Sequence, residues 1–396
     1  MELKKFFELD ELAKKEAEKY PKKRLLYKQL ILGRGKHFIG IVGPRGVGKT
    51  ILLKQIASEY KNSFYLSMDT LEGENLFEMA KTLLEYYNIK LLLLDEVHFQ
   101  SNYEQELKKI FDFLGTKVIF TSSMSLSIFE SSYDLSRRVK LFYLYPFSLR
   151  EYLYFKKDIF LAPLTLKEIQ KNQYNVDYLR YDYIFEDYIK GGVLPFSLEE
   201  PDILPLLENI LRKIIYKDIP FVAKLRVDEL EFIYKVIKFI GKSPVEGINF
   251  TSIAKNIGIT KYKAEQYVNL LEKAFVLNVV FPEGTNVLKE PKILMYLPYR
   301  LLYRDFKDCI GELREDFLVQ ALKSKGYKFN YLKTRRGQKT PDYLIKYRDG
   351  DIIAEVGGKG KGRSQFKGVK AKQKIIFVHP CSNKEEKRSL FLLGFL

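Results

Sequence analysis

The sequence predicts an α/β fold with a parallel β-sheet core, and three observations lead to it. The apolar run Phe38–Val42 precedes a glycine-rich loop and then a helical pattern over residues 49–60. Residues 91–94 are four leucines, as is typical of a strand buried on both faces of a parallel sheet. Further strands are predicted over residues 63–69, 117–123 and 139–144. Strands therefore alternate with helical segments, as they do in α/β proteins.

The loop after the first strand carries the clearest chemical signal in the chain. Its glycines let backbone N–H groups converge on phosphate oxygens, and the helix that follows points its positive dipole end at the same place. Lys49 is expected to reach the β- and γ-phosphates, and the Thr50 hydroxyl to ligate Mg²⁺. ATP and Mg²⁺ are therefore the predicted cofactors. The loop matches G-x-x-x-x-G-K-[ST] at every position, with Gly43, Pro44, Arg45, Gly46, Val47, Gly48, Lys49 and Thr50 as the expected nucleotide-binding residues.

Two acids follow the leucine strand. Asp95 stands at its end, where it is expected to hold Mg²⁺, and Glu96 is the predicted base that polarises the attacking water. His98, two residues on, is expected to be a packed or exposed histidine and not a catalytic one.

Two other positions are candidates for contacting the nucleotide. The predicted strand 117–123 ends in Thr121, Ser122 and Ser123, and Ser122 is the residue assigned to sensing the γ-phosphate. A strand end rich in hydroxyls is common, so an ordinary strand end is the alternative. Arg138, which precedes the predicted fifth strand together with Arg137, can reach a phosphate in its own chain, act across a subunit interface, or be a surface arginine. A homo-oligomer is therefore a possible form.

Composition points to a soluble protein with an anionic partner. The chain has 396 residues, 46% of them hydrophobic, and a net charge of +17. It has no apolar run of membrane-spanning length, its first residues are charged, and its two cysteines have no metal-binding spacing. A cytoplasmic location without a membrane partner is expected. Over residues 323–374, sixteen Lys and Arg against four acids leave a net charge of +12, which favours a surface that faces a polyanion.

Residues 248–282 read as a helix-turn-helix followed by a strand. Thr251 is the expected cap of a short helix that ends at Gly258, and Thr260 the expected cap of a second helix over residues 261–273. An apolar strand over residues 275–281 follows. On the second helix, the residues expected to face outward for reading a DNA groove are Lys261, Lys263, Gln266 and Asn269. Modules of this kind also bind proteins, so both partners stay open.

The segment "TPDYLIKYRDGDIIAEVGG" reads as a hairpin with acids at its strand ends. Asp342 precedes one predicted strand and Glu355 lies near the end of the next, so the two carboxylates can share a divalent cation. Glu315, on a predicted helix upstream, can complete this second metal site. Three interpretations remain open: a metal-dependent site that cuts nucleic acid, a surface that binds it without cutting, and acids that cap a solvated hairpin.

The chain resembles a family of AAA+-type P-loop ATPases from archaea and bacteria that carry a C-terminal domain of the PD-(D/E)XK nuclease-like type. The segments "GPRGVGKT", "LLLLDE", "SSYDLSRRVKLFYLYPFSLREYL" and "GGVLP" carry the resemblance. It implies a winged helix over the helix-turn-helix region. It also implies a lysine two residues after the second acid, where this chain has Gly357. Lys359 is the nearest lysine that follows.

Taken together, the sequence predicts a P-loop NTPase core, a helical and winged-helix region and a small α/β nuclease-like domain. The predicted function is Mg²⁺-dependent ATP hydrolysis coupled to branched or single-stranded DNA, with nuclease activity doubtful. The alternative is a nucleotide-switched signalling or scaffolding ATPase with a protein partner. The predicted boundaries are residues 1–145 for the ATPase core, 146–240 for a helical connector, 241–300 for the winged helix and 301–396 for the nuclease-like domain.

Overall fold

The chain divides into two compact units. The first comprises Met1–Pro146 and Tyr216–Lys224, and the second comprises Phe147–Ile215 and Leu225–Leu396. The division into four predicted domains remains a prediction. The computed structural model describes residues 3–32, 35–71, 74–100, 102–124, 135–223, 225–284, 290–332, 341–358, 360, 366, 373–380 and 387–396.

The first unit is an α/β domain. Its helices are α1 (Leu3–Ala17), α2 (Leu26–Leu32), α3 (Lys49–Glu59), α4 (Leu76–Tyr87) and α5 (Tyr103–Phe113). Its strands are β1 (Phe38–Val42), β2 (Ser63–Ser67), β3 (Leu91–Asp95), β4 (Lys117–Ser122) and β5 (Val139–Tyr143).

All five strands are parallel, in the order β2-β3-β4-β1-β5. The inner strands β1 and β3 are buried at every position, whereas the edge strand β5 is partly exposed. This confirms the predicted α/β fold class and the five predicted strand positions. Because β1, β3 and β4 are neighbours, their carboxyl ends meet at one edge of the sheet, where parallel α/β sheets bind ligands.

The second unit begins with short helices: α6 (Leu149–Lys157), α7 (Leu166–Lys171), α8 (Phe185–Asp187) and α9 (Leu204–Lys213). Ser148 and Thr165 begin α6 and α7 with capping boxes, since each side chain accepts from the N3 backbone and the N3 glutamate bonds back. After α9 the chain carries α10 (Ile219–Val222), which belongs to the first unit.

Three helices and a two-stranded hairpin follow in the second unit: α11 (Val227–Lys242), α12 (Phe250–Ile257), α13 (Lys261–Lys273), β6 (Leu277–Val280) and β7 (Lys292–Met295). Thr260 caps α13 as predicted, by accepting from the Lys263 N–H. The predicted cap of α12 is wrong. Asn249 begins that helix in a reciprocal pair with Ser252, while the Thr251 hydroxyl donates to Glu290 instead.

The chain ends in a mixed sheet. Its elements are α14 (Phe306–Ser324), β8 (Phe329–Tyr331), β9 (Tyr343–Ile345), β10 (Ile352–Gly357), β11 (Gln373–Val378) and β12 (Lys387–Ser389). Strands β8, β9 and β10 pair antiparallel, and β10, β11 and β12 pair parallel. Among the described residues, no helix is both long enough and apolar enough to cross a membrane.

Candidate ATP site and carboxylate cluster

The loop between β1 and α3 has the backbone that its glycines predict. Gly46 and Gly48 take φ values of 80° and 88°, a left-handed conformation that residues with a Cβ rarely adopt. Gly43 is needed for space, because a Cβ there would lie 2.1 Å from the Leu144 carbonyl oxygen. The loop therefore stays close to the strand end, and α3 starts directly at Lys49.

Lys49 lies buried against its own loop. Its Nζ donates to the carbonyl oxygens of Gly43 at 2.7 Å and of Pro44 at 2.8 Å. Burial lowers the pKa of Lys49 to about 8, and the nearby charges of Glu96 and Asp95 oppose that shift. An ammonium held by neutral carbonyls gains strongly from an anionic ligand, which is what a phosphate-binding lysine requires.

Asp95 is held by the strands on either side of it. The hydroxyl of Tyr65 on β2 donates to Asp95 Oδ2 at 3.0 Å, and the Thr121 hydroxyl on β4 donates to Oδ1. Burial and the charge of Asp95 raise the pKa of Tyr65. The carboxylate is therefore fixed at the edge of the sheet where the P-loop begins. Its oxygens are hard donors of the kind that Mg²⁺ prefers, and Thr50, the other predicted donor, is the second residue of α3.

Glu96 starts the turn after β3 with a left-handed backbone, φ 53°. Its N–H donates to Thr121 Oγ1 at 2.9 Å, and its Oε1 accepts from Arg45 Nη1 at 2.8 Å. The structure thus joins the predicted base to the P-loop through an arginine. Arg45 occupies a variable position of the G-x-x-x-x-G-K-[ST] motif, so the motif alone does not predict this contact.

The hydroxyls at the end of β4 have three different roles. Thr121 contacts Asp95 and Glu96, whereas Ser122 Oγ donates to the Met124 carbonyl oxygen at 3.0 Å. Ser123 Oγ lies 3.3 Å from His98 Nε2. The residue that contacts the two acids is therefore Thr121, one position before the predicted Ser122. His98 is buried, so of the packed and exposed states expected for it, the structure shows the packed one.

Arg138 lies at the amino-terminal ends of the strands, opposite the P-loop, which follows the carboxyl end of β1. It immediately precedes β5, and its carbonyl oxygen accepts from the N–H of Phe38 at the start of β1. Its guanidinium forms an ion pair with Asp112 at 2.9 Å. Gly43 follows the other end of β1, so the structure does not bring Arg138 to the P-loop of its own chain. The prediction that Arg138 reaches a phosphate bound to its own chain is therefore wrong. Its action across a subunit interface remains a prediction.

The second unit brings the predicted acids of the hairpin near one another. Asp342 Oδ2 accepts from the Val356 N–H at 2.9 Å, and Glu315 Oε2 accepts from the Tyr343 hydroxyl at 3.0 Å. Burial, reinforced by the charges of Glu315 and Glu355, raises the pKa of Asp342 to about 7. Glu315 on α14 and Glu355 on β10 therefore lie within electrostatic range of Asp342, which directly precedes β9.

A lysine that the sequence did not single out lies in this cluster. Lys292 of β7 forms an ion pair with Glu315 at 2.5 Å, and the charges of Glu315 and Asp342 raise its pKa against the effect of burial. Gly357 ends β10 opposite Val378. Lys359 lies outside the described residues. Within the described part of the chain, no group of three or more His, Cys, Asp or Glu side chains is placed to hold a metal ion.

Two of the four predicted groove-facing residues on α13 are engaged by acids. Lys261 pairs with Glu290, and Lys263 pairs with Glu229. Hydrogen bonds from Lys263 and the Arg226 backbone lower the pKa of Glu229 to about 2. These acids neutralise part of the charge that the sequence assigned to this helix. Within the basic stretch 323–374, most of residues 359–374 lie outside the described residues.

The fold and the P-loop define an AAA-type P-loop ATPase, and residues 35–153 match the AAA domain family. The chain belongs to the same family as the Uncharacterized protein MJ1637 of Methanocaldococcus jannaschii. The two are 31% identical over 388 residues, which covers 86% of this chain and 80% of that protein.

Solved structures give a more distant likeness. The Aeropyrum pernix ORC1 protein in complex with DNA is 11% identical, over 77% of this chain and 91% of that chain, with a TM-score of 0.30. C. elegans PCH-2 is 14% identical, over 64% and 65%, with a TM-score of 0.29.

Proposed function

We propose that the protein hydrolyses ATP in a Mg²⁺-dependent reaction at the end of the parallel sheet. The observation that carries the proposal is the convergence of Lys49, Asp95 and Glu96 beside a loop whose backbone is shaped for phosphates. The pKa of Lys49 responds to the charges of both acids, so the three groups lie within electrostatic range of one another. The AAA domain match over residues 35–153 supports the same reaction.

The roles follow from the contacts. The backbone N–H groups of residues 43–50 and the start of α3 bind the phosphates, and Lys49 leaves its carbonyl acceptors for them. Thr50 and Asp95 would hold Mg²⁺, which neutralises phosphate charge when bound. Glu96 accepts the proton of the attacking water. Thr121, which contacts both acids, fits the role of positioning hydroxyl better than Ser122.

The test compares Glu96→Gln and Lys49→Ala with wild type. Glu96→Gln should still bind ATP but lose about 10²-fold or more in hydrolysis rate, because a positioned base contributes about that much. Lys49→Ala should lose binding. Glu85→Gln, the same chemical change on an exposed position of α4, serves as the control. A Glu96→Gln protein that hydrolyses ATP at the wild-type rate refutes the assignment.

For the second unit we propose DNA as the partner. The order of α11, α12, α13 and the β6–β7 hairpin supports the predicted winged helix, and the net charge of +12 over residues 323–374 would supply affinity for phosphates. The mixed sheet with helix α14 and the acids Glu315, Asp342 and Glu355 is what supports the proposal of a nuclease-like domain. The ion pair between Lys292 and Glu315 and the glycine at position 357 favour binding without cutting.

DNA binding is measured as a function of salt concentration on single-stranded and branched DNA. Lys359→Ala with Lys361→Ala should weaken binding. The slope of log K against log [salt] should become shallower by about two, one for each lost phosphate contact. Lys5→Ala with Lys81→Ala, which removes the same charge from exposed positions of α1 and α4, should change neither. Equal affinity in all proteins contradicts the assignment of the basic block.

Cleavage is tested separately, with end-labelled DNA and Mg²⁺ or Mn²⁺ on native and denaturing gels. DNA that is retarded on native gels but intact on denaturing gels, with both wild type and Glu355→Ala, supports binding without cleavage. Wild-type cleavage that disappears in the variant would show that the carboxylate cluster is an active nuclease.

A protein partner is the second candidate, and the ion pairs on α13 favour it. Glu290 and Glu229 neutralise the two lysines that were expected to face DNA, while Tyr262 of the same helix is two-thirds exposed. No response of ATP hydrolysis to DNA, combined with nucleotide-dependent oligomerisation, would favour this candidate.

A further inference from the structure

A buried arginine outside the nucleotide-binding motif contacts the loop between β1 and α3. Arg24 lies between α1 and α2 and is 7% exposed. Its Nη1 donates to the Val47 carbonyl oxygen at 2.5 Å, and its Nη2 donates to the Tyr145 carbonyl oxygen at 2.8 Å. The guanidinium therefore joins the P-loop to the chain that follows β5. Because both of these acceptors are backbone groups, the two bonds fix the course of the main chain there.

The chain on either side of this arginine is bound to α3, the helix that follows the P-loop. Gln55 of α3 is buried, and its Nε2 donates to the carbonyl oxygens of Tyr20 at 2.5 Å and of Lys22 at 3.0 Å. The Tyr27 hydroxyl donates to the carboxylate of Glu59, the last residue of α3. The segment between α1 and α2 is therefore held against this helix, which limits the positions that its arginine can take.

The bond to Val47 also orients the next backbone N–H. A trans peptide unit is planar, so its C=O and N–H bonds point in opposite directions. Because Arg24 holds the Val47 carbonyl oxygen on one side of the loop, the N–H of Gly48 points to the other side. Glycine permits either orientation of this peptide, so a further contact is needed to select one. Gly48 directly precedes α3, and its N–H is one of the backbone donors proposed for the phosphates.

We propose that Arg24 is a positioning residue of the ATP site, and that it acts by fixing the Val47–Gly48 peptide for the phosphates. The proposal rests on the proposed function, since it takes the P-loop as the place where ATP binds. The part of the ligand that Arg24 serves is the polyphosphate, and not the base or the sugar. The segment between α1 and α2 thus becomes part of the ATP site, although no motif marks it.

Binding of ATP and of inorganic tripolyphosphate, which has neither base nor sugar, tests the assignment. Arg24→Met removes both donors, so the ligand itself has to order the loop, and the Kd of both ligands should rise about 10-fold. Arg24→Lys keeps the buried charge and can donate to one carbonyl oxygen, so both Kd values should rise only about 3-fold. This second variant decides the question if Arg24→Met does not fold. Unchanged Kd values, or a rise for ATP alone, overturn the proposal.

Glu106→Met separates positioning from general destabilisation. Glu106 of α5 is 2% exposed, and its Oε2 accepts from the Phe77 N–H of α4 at 3.0 Å. It is therefore another buried charge that bonds to backbone, but it does so at α4 and not at the P-loop. Glu106→Met should lower Tm, yet leave the Kd of both ligands within about twofold of wild type. An equal rise of Kd in Glu106→Met and Arg24→Met would show that lost stability is the cause, and would overturn the proposal.

Amide hydrogen exchange of the nucleotide-free protein reports on the loop directly. The amides of residues 43–50 should exchange faster in Arg24→Met than in wild type, and at the wild-type rate in Glu106→Met. Equal exchange in Arg24→Met and wild type overturns the proposal. If wild type binds ATP without hydrolysing it, the proposed function fails, whereas the Kd values and the exchange rates still decide the role of Arg24. If wild type binds neither ligand, both proposals fail.

Discussion

Raising the pH from 7 to 9 should weaken nucleotide binding, because Lys49 loses its proton in the nucleotide-free protein. Burial lowers the pKa of this lysine to about 8, although the nearby acids Glu96 and Asp95 favour its charged form. The two carbonyl oxygens that accept from its Nζ, at 2.7 and 2.8 Å, are neutral and do not replace the lost water. ATP phosphates bind the charged form, so binding is linked to proton uptake.

The magnitude follows from the protonated fraction. At pH 7 about nine in ten molecules carry a charged Lys49, at pH 8 about half, and at pH 9 about one in eleven. If only the charged form binds, the apparent Kd should rise about twofold by pH 8 and about tenfold by pH 9, which is about 1.4 kcal/mol at the upper end. The apparent Kd for ATP should therefore rise from pH 7 to pH 9, whereas the charge of Lys49 should change it little below pH 7.

Isothermal titration calorimetry in buffers of different ionisation enthalpy measures both quantities. Binding at pH 8 should take up about half a proton, and at pH 9 about nine-tenths. Lys49→Arg keeps the charge at all these pH values and should show weaker but pH-independent binding. A constant Kd from pH 7 to 9 in wild type, or the same pH dependence in Lys49→Arg, would refute the reasoning.

Three further predictions concern stability and the P-loop. Asp342→Asn should stabilise the protein more at pH 8 than at pH 5 in thermal unfolding. Burial and neighbouring carboxylates raise the pKa of Asp342 to about 7, above its unfolded value, so this group lowers stability as pH rises from about 4 to 7. Arg300→Met should cost about 3–5 kcal/mol in urea unfolding, since it leaves Asp316 fully buried without its guanidinium, whereas Arg300→Met with Asp316→Leu should cost clearly less. Gly43→Ala should abolish ATP binding, because its Cβ would meet the Leu144 carbonyl oxygen at 2.1 Å; near-normal affinity contradicts this.

The sequence predicted well what depends on neighbours along the chain. Strand positions followed from apolar runs, the P-loop from its glycines, and the start of α13 from Thr260. The cap of α12 was missed because Asn249 and Thr251 both suit a helix start, and the Thr251 hydroxyl bonds Glu290, 39 residues away. Where two nearby residues can perform the same local role, a distant contact decides between them.

What the sequence alone determined is the first unit as an α/β domain with a phosphate loop and two acids at a strand end, because these features need only a short stretch of chain. The sheet order placed Tyr65 and Thr121 on either side of Asp95. It also put Arg138 at the amino ends of the strands, whereas Gly43 lies at their carboxyl ends.

Tertiary structure alone brought Asp218 to Arg45 from 173 residues away, and Lys292 into the carboxylate cluster. Neither residue has a spacing or motif that marks it. A buried charge takes its partner from whatever part of the chain the packing brings within a few ångströms, and only the folded chain shows which part that is.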